Sequence, residues 1–102
     1  MEDGILPEGM AEYVTEKKVL ALTGILKQGE TFGTELSREI KTTYAHTVKL
    51  ITDLEENGLI RTEVHGRKKI IELTDPGQEI AESLVQLINT FKTADIKPET
   101  GK

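Results

Sequence analysis

Apolar residues return every three or four positions in four stretches of the chain and alternate in two others, which predicts four helices and a pair of strands. In the first stretch Val19, Leu20, Leu22, Thr23, Ile25 and Leu26 form a broad apolar surface at helical spacing. A helix capped by the Thr15 hydroxyl and running to about Gln28 accounts for it, with Gly29 suited to the left-handed position just beyond. A second helix covers roughly Thr34 to Lys41. Gly33 is placed at its N-cap, Leu36 and Ile40 four apart on the inner face, and Ser37, Arg38 and Lys41 outside. Thr42 and Thr43 break the pattern and offer hydroxyls as caps. A third helix follows from about Tyr44 to Asn57, ended by Gly58. Its inner set is Thr47, Val48, Leu50, Ile51 and Leu54. Thr43, Tyr44, Ala45, His46 and Lys49 remain for its outer face.

Leu59 to Val64 and Lys68 to Leu73 hold β-branched residues at roughly alternating positions around His65-Gly66-Arg67, the pattern of a hairpin whose tip needs the positive φ that Gly66 supplies. Arg67, Lys68 and Lys69 place three positive charges in and beside that tip. The last helix has the clearest start signal: Asp75 as cap, Pro76 at the first helical position, and Gln78 three residues on. It extends to about Lys92. Ile80, Leu84, Leu87 and Phe91 make one apolar row, with Ala81, Val85 and Ile88 beside it. Two rows are more than a helix lying on a small core needs.

The order helix, turn, helix, hairpin specifies a mainly α fold with a small β-hairpin wing. This is a winged helix-turn-helix with a three-helix core, the wing and a long C-terminal helix. The predicted organisation is a disordered tail over 1–11, the winged domain over 12–74, a C-terminal dimerisation helix over 75–93 and a flexible tail over 94–102.

Composition adds limits. A chain of 102 residues with 36% apolar and 30% charged residues has material for one core. The absence of cysteine excludes disulfides and thiolate metal sites and fits an intracellular setting. No apolar run approaches the ~20 residues of a membrane span, and the first ten residues lack the basic start and apolar core of a secretory signal. A cytoplasmic protein without membrane contact is expected. The net charge of −5 argues against a nucleic-acid partner until its distribution is considered. Residues 31–70 hold seven Lys/Arg (38, 41, 49, 61, 67, 68, 69) against six Asp/Glu (35, 39, 53, 55, 56, 63), a balance of +1, so the remaining segments carry −6. On the third helix the N-terminal half is free of acids, while Asp53, Glu55 and Glu56 crowd the C-terminal end. Such a helix should meet phosphates with its N-terminus, where helix-turn-helix proteins make their base contacts.

The stretch LSREIKTTYAHTVKLITDLEENGLIRTEVHGRKKIIELTDPGQEIAE resembles the winged-helix repressors of the MarR type, including small archaeal members. ELTDPGQEIAE resembles the passage from their wing into a long dimerisation helix, and LEENGLI the end of their recognition helix. VLALTGILKQGETFGTELSREI is closer to the PadR type. Together these phrases cover roughly residues 16–92. The resemblance implies that Thr43 through Lys49 read a major groove, that His65 to Lys68 form the wing tip on backbone or minor groove, and that Ile80 to Phe91 form a dimer surface. The sequence departs from these families in one respect. Their recognition helices often carry several arginines, whereas Lys49 is the only basic side chain here apart from His46, which argues against strong guanine reading.

The candidate DNA contacts are therefore Arg38, Lys41, Thr42, Thr43, Tyr44, His46, Lys49, His65, Arg67 and Lys68, and the candidate dimer contacts are Ile80, Leu84, Leu87, Ile88 and Phe91. Each has a plainer alternative. Tyr44 could pack on the second helix, the exposed cations could be solvated surface charges, and Lys69 could serve only to protect a strand edge. The two histidines are not spaced as metal ligands, no cofactor is implied, and no Gly-rich phosphate loop or Ser-His-Asp set suggests an enzyme. The expected partners are double-stranded DNA and a second copy of the chain, and related repressors often bind a small-molecule effector. A protein-interaction module in a transcription or replication assembly is the rival reading, favoured by the acidic total and the single helix-three lysine.

Overall fold

The computed structural model describes Pro7 and residues 10–94. The chain enters through a single helical turn, α1 (Met10–Tyr13), whose first amide donates to the Pro7 carbonyl at 3.1 Å. Met10 and Ala11 thus belong to a helix rather than to the expected disordered tail; residues 1–6, 8 and 9 lie outside the described residues. α2 (Glu16–Gln28) starts at the predicted cap, with the Thr15 hydroxyl accepting from the Lys18 amide. It ends at Gly29, whose φ of 85° lets its N–H turn back to the Ile25 carbonyl at 2.8 Å. Leu22 and Ile25 face the core, whereas Leu20 stays 41% exposed.

Before the second predicted helix comes an element the periodicity does not show, β1 (Thr31–Phe32). It pairs antiparallel with the outgoing strand of the wing, Thr31 opposite Ile71 and Phe32 opposite Ile70. The expected two-stranded hairpin is therefore part of a three-stranded sheet in the order β1-β3-β2. α3 then spans Gly33–Glu39, so Gly33 is its first residue and Phe32 its cap, without a side-chain hydrogen bond. It stops two residues before the predicted Lys41. There the Lys41 amide donates to the Arg38 carbonyl and the Thr42 amide to the Ser37 carbonyl, at 3.3 and 3.1 Å. This paired bonding is the Schellman arrangement, which demands a left-handed residue after the helix. Lys41 fills it at φ 57°, a position that costs an L side chain about 1–2 kcal/mol where glycine would be free.

Two residues later α4 (Tyr44–Glu56) begins. Thr43 caps it, its hydroxyl accepting from the His46 amide at 3.1 Å, an arrangement worth about 1 kcal/mol. The same C-terminal bonding closes α4, with Gly58 at φ 77° in the left-handed place and its amide donating to the Glu55 carbonyl. Thr47, Ile51 and Leu54 are buried and Leu50 packs against the core, but Val48 is 43% exposed, a departure from the predicted inner set.

β2 (Ile60–His65) and β3 (Lys68–Leu73) pair in register from Ile60–Leu73 to His65–Lys68. A two-residue turn joins them, Gly66 taking φ 66° at its first central position. α5 (Asp75–Ala94) begins as predicted but with a different cap. The Thr74 hydroxyl accepts from the Gly77 amide at 3.1 Å and donates to the Gly58 carbonyl at 2.6 Å. Asp75 is therefore the first helical residue, and Gln78 reaches Glu82 instead of closing a capping box. The helix continues through Ala94, and residues 95–102 lie outside the described residues.

These elements meet in one core built from Leu22 and Ile25 of α2, Leu36 and Ile40, Ile51 and Leu54 of α4, Ile60 and Ile71 of the sheet, and Ala81 of α5. Each helix contributes one stripe and the sheet one face. Among the described residues no helix is long and apolar enough to cross a membrane.

Candidate nucleic-acid interface

α4 is anchored by Thr47, Ile51 and Leu54, so the 3.6-residue period turns Ala45, Lys49 and Thr52 directly outward, with Tyr44 and Val48 on one shoulder and His46 on the other. No acidic residue stands in its first turn. The N-terminal half of α4 exposes Tyr44, Ala45, His46, Val48 and Lys49, and a groove lies on each shoulder.

The first groove, of about 250 Å³, lies between α4 and the wing and is lined by Phe32, Gly33, Thr34, Tyr44, Arg67, Lys68 and Lys69. The Tyr44 ring lies against Gly33, where an added Cβ would come within 3.2 Å of it. Tyr44 nevertheless remains 56% exposed, so its packing on the start of α3 leaves much of the ring and its hydroxyl open. Lys68 Nζ sits 4.7 Å from the centroid of the Phe32 ring. That cation–π contact holds the ammonium over β1, on the side of the wing that faces α4. Three cations and two hydroxyl-bearing residues thus line one cleft, a chemistry suited to phosphate oxygens.

The second groove, of about 210 Å³, lies on the opposite shoulder and is lined by Lys17, Thr42, His46, Lys49, Leu50 and Asp53. The Thr42 hydroxyl lies 3.5 Å from His46 Nδ1. Lys17 arrives from α2 and donates to the Ile40 carbonyl at 3.0 Å, satisfying an oxygen at the end of α3 while bringing its charge beside α4. Asp53 is the one acid among these linings, a turn farther along the helix.

Of the ten predicted contacts, the fold gathers Tyr44, Arg67 and Lys68 in one groove and Thr42, His46 and Lys49 in the other, with Thr43 between them as the cap. Arg38 and Lys41 are exposed on α3 and its exit but line neither groove. His65 is turned to its own strand, its Nε2 lying 3.4 Å from the Glu63 carboxylate. Three groove residues were not singled out from the sequence: Lys17, Phe32 and Thr34. Lys17 lies before the motif and reaches it only through packing, and a two-residue strand shows no alternation. The acids at the end of α4 have structural duties as well. Glu55 accepts from the Thr62 hydroxyl at 2.9 Å and ties the wing to the helix.

On the far side of the molecule α5 divides its apolar residues between two tasks. Ala81 is buried, and Leu84, Val85 and Ile88 are half-buried. Ile80, Leu87 and Phe91 are 38%, 51% and 50% exposed, forming an uncovered row along the helix.

A MarR family transcriptional regulator of Silicibacter pomeroyi superposes with a TM-score of 0.75 at 20% identity, over 82% of this chain and 61% of that one. The structure of NadR in complex with 4-hydroxyphenylacetate superposes with a TM-score of 0.76 at 16% identity, over 82% of this chain and 62% of that one. The protein thus has the MarR-like winged helix-turn-helix fold, while spanning about three-fifths of those chains. An uncharacterized protein of Archaeoglobus fulgidus is 32% identical over 57 residues, 56% of this chain and 60% of its own length. The family described as the DUF6293 C-terminal winged helix domain matches residues 8–84, most of the chain, and it is to this family that the protein belongs.

Proposed function

We propose that the protein is a double-stranded-DNA-binding transcriptional regulator that acts as a homodimer. The observation that carries this reading is the pair of basic grooves on either side of the exposed N-terminal half of α4. A helix lying in a major groove is bordered by two phosphate backbones, one on each shoulder, and each groove supplies cations and hydroxyls to one of them. In this reading α4 enters the major groove, with Thr43, Tyr44, His46 and Lys49 at its entry. Arg67 and Lys68 hold one backbone from the wing, Thr42 and Lys17 the other, and Arg38 and Lys41 lie along the flank. The body over 12–74 does the binding. The uncovered row of Ile80, Leu87 and Phe91, continued by Leu84 and Ile88, pairs two copies through the helix over 75–93. The likeness to the MarR family transcriptional regulator of Silicibacter pomeroyi supports the transcriptional role.

An effector is a further part of the proposal. A cleft of about 470 Å³ between α2 and α5, lined by Leu20, Leu26, Val85 and Ile88 together with Lys92 and the Lys27–Glu39 ion pair (3.7 Å), has room for a small, largely apolar molecule. NadR, a structural neighbour, carries 4-hydroxyphenylacetate.

The test is a titration of labelled duplexes of unrelated sequence with the wild type and with the double variant Arg67→Ala, Lys68→Ala. Loss of two phosphate contacts should weaken binding about tenfold at moderate salt, alike for every sequence, and lower the salt dependence by about two ions. Unchanged affinity removes the wing from the interface. Failure of the wild type to bind any duplex favours the protein-interaction reading.

A further inference from the structure

The side of α4 that faces outward between the two grooves is chemically unusual for a reader of base edges. Ala45, Val48, Lys49 and Thr52 are its exposed residues ahead of the acidic end. Side chains that discriminate bases by paired hydrogen bonds are arginine or lysine to guanine and asparagine or glutamine to adenine. Of these α4 holds only Lys49, a single point charge, and no arginine, asparagine or glutamine. What is presented instead is methyl groups. Val48 is 43% exposed although it stands on a helix of a protein with a well-filled core. Thr52 donates its hydroxyl proton to the Val48 carbonyl at 2.9 Å, so that proton is not available to a base. Resting on the DNA-binding reading above, the geometry points to thymine recognition: Ala45, Val48 and Thr52 are specificity-determining residues that pack on the 5-methyl groups of thymines in the major groove.

The flanking geometry makes this surface usable. Tyr44 and the wing cations stand on the Val48 shoulder, and His46 and Lys17 on the other, so phosphate contacts on both sides seat the apolar strip against the floor of the groove. Lys49, on the midline, is the single donor of the strip. A thymine carries the only methyl that a standard base pair displays in the major groove, and apolar side chains are its natural complement. Ala45, Val48 and Thr52 would gain nothing from guanine, whose major-groove edge offers acceptors that Lys49 alone of this strip could meet.

The experiment compares two duplexes of about 25 A·T pairs, identical except that deoxyuridine replaces every thymidine in one, and so lacks only the 5-methyl groups. Each is titrated with the full chain and with Val48→Ser, a change at an exposed position. The wild type should bind the thymine duplex about three- to tenfold more tightly, as expected for a few methyl contacts, and Val48→Ser should reduce that ratio. A ratio near one with measurable binding overturns the thymine inference and leaves DNA binding standing. A ratio that is preserved in Val48→Ser overturns the assignment of Val48. No binding to either duplex at low salt overturns the DNA-binding reading and this inference with it.

Discussion

Gly77→Ala should destabilise the protein by about 3 kcal/mol or more, the largest effect expected of any single methyl group in the chain. A Cβ at Gly77 would collide with the backbone carbonyl of Leu59, and the Leu59 carbonyl carbon would lie only 2.8 Å away. Backbone cannot step aside as a side chain can, so the start of α5 would have to lift off the α4–β2 junction. Lifting it breaks the hydrogen bond from the Thr74 amide to the Leu59 carbonyl, 3.1 Å, and the one from the Thr74 hydroxyl to the Gly58 carbonyl, 2.6 Å. Gly77 thus joins three parts of the molecule: the end of the α4 helix, the base of the wing and the start of the long helix. Thermal unfolding followed by circular dichroism checks the prediction. A melting temperature within a degree or two of the wild type would show that the junction is not as tight as the structure has it.

The second large effect concerns the opposite face. Replacing Leu87 and Phe91 together by aspartate should yield a monomer of unchanged helical content whose affinity for a two-site duplex is about 100-fold lower, because the second half-site no longer binds as an intramolecular event. Both side chains are about half exposed in the single chain and contribute little to its own core. Carboxylates there should therefore leave the fold intact while making burial against a second copy prohibitively costly. Sedimentation of wild type and variant, followed by titration with duplex, separates the outcomes. A wild type that sediments as a monomer, or a variant that still dimerises, removes the row from the interface.

Much of the fold was legible because short-range chemistry decided it. Gly29, Gly58 and Gly66 adopt the positive φ that their places after helices and in a hairpin require. Thr15 and Thr43 cap the helices they precede. The misreadings arose where tertiary contacts chose between locally equivalent options. Thr74 and Asp75 are both competent caps, and the Gly58 carbonyl, sixteen residues away, selects Thr74. Lys41 looked like the last turn of a helix, but the short link to Thr43 needs a left-handed residue there, and no local signal marks a lysine for that role. β1 exists because Ile70 and Ile71 have a free edge to pair with, a fact about the wing rather than about Thr31 and Phe32. Hydrophobicity alone places Val48 on the inner face. Its exposure is where the local rule fails and the thymine proposal begins.

The candidate site was readable in outline and not in assembly. Tyr44, His46, Lys49, Arg67 and Lys68 come from the motif itself. The sorting of these residues into two grooves, with Lys17 and Phe32 joining them, depends on α2 and β1 packing beside α4. Charge shows the same limit. The net −5 describes the whole chain, whereas the linings of the two grooves beside α4 hold five lysines and arginines and one aspartate.

Binding of double-stranded DNA by this face through phosphate neutralisation can be read out by fluorescence anisotropy. A labelled random duplex of ~25 bp is titrated at low and at near-physiological salt. Micromolar or tighter binding at low salt is expected, weakening steeply as salt rises, with a logarithmic slope corresponding to several released counterions. No binding even at low salt would contradict it.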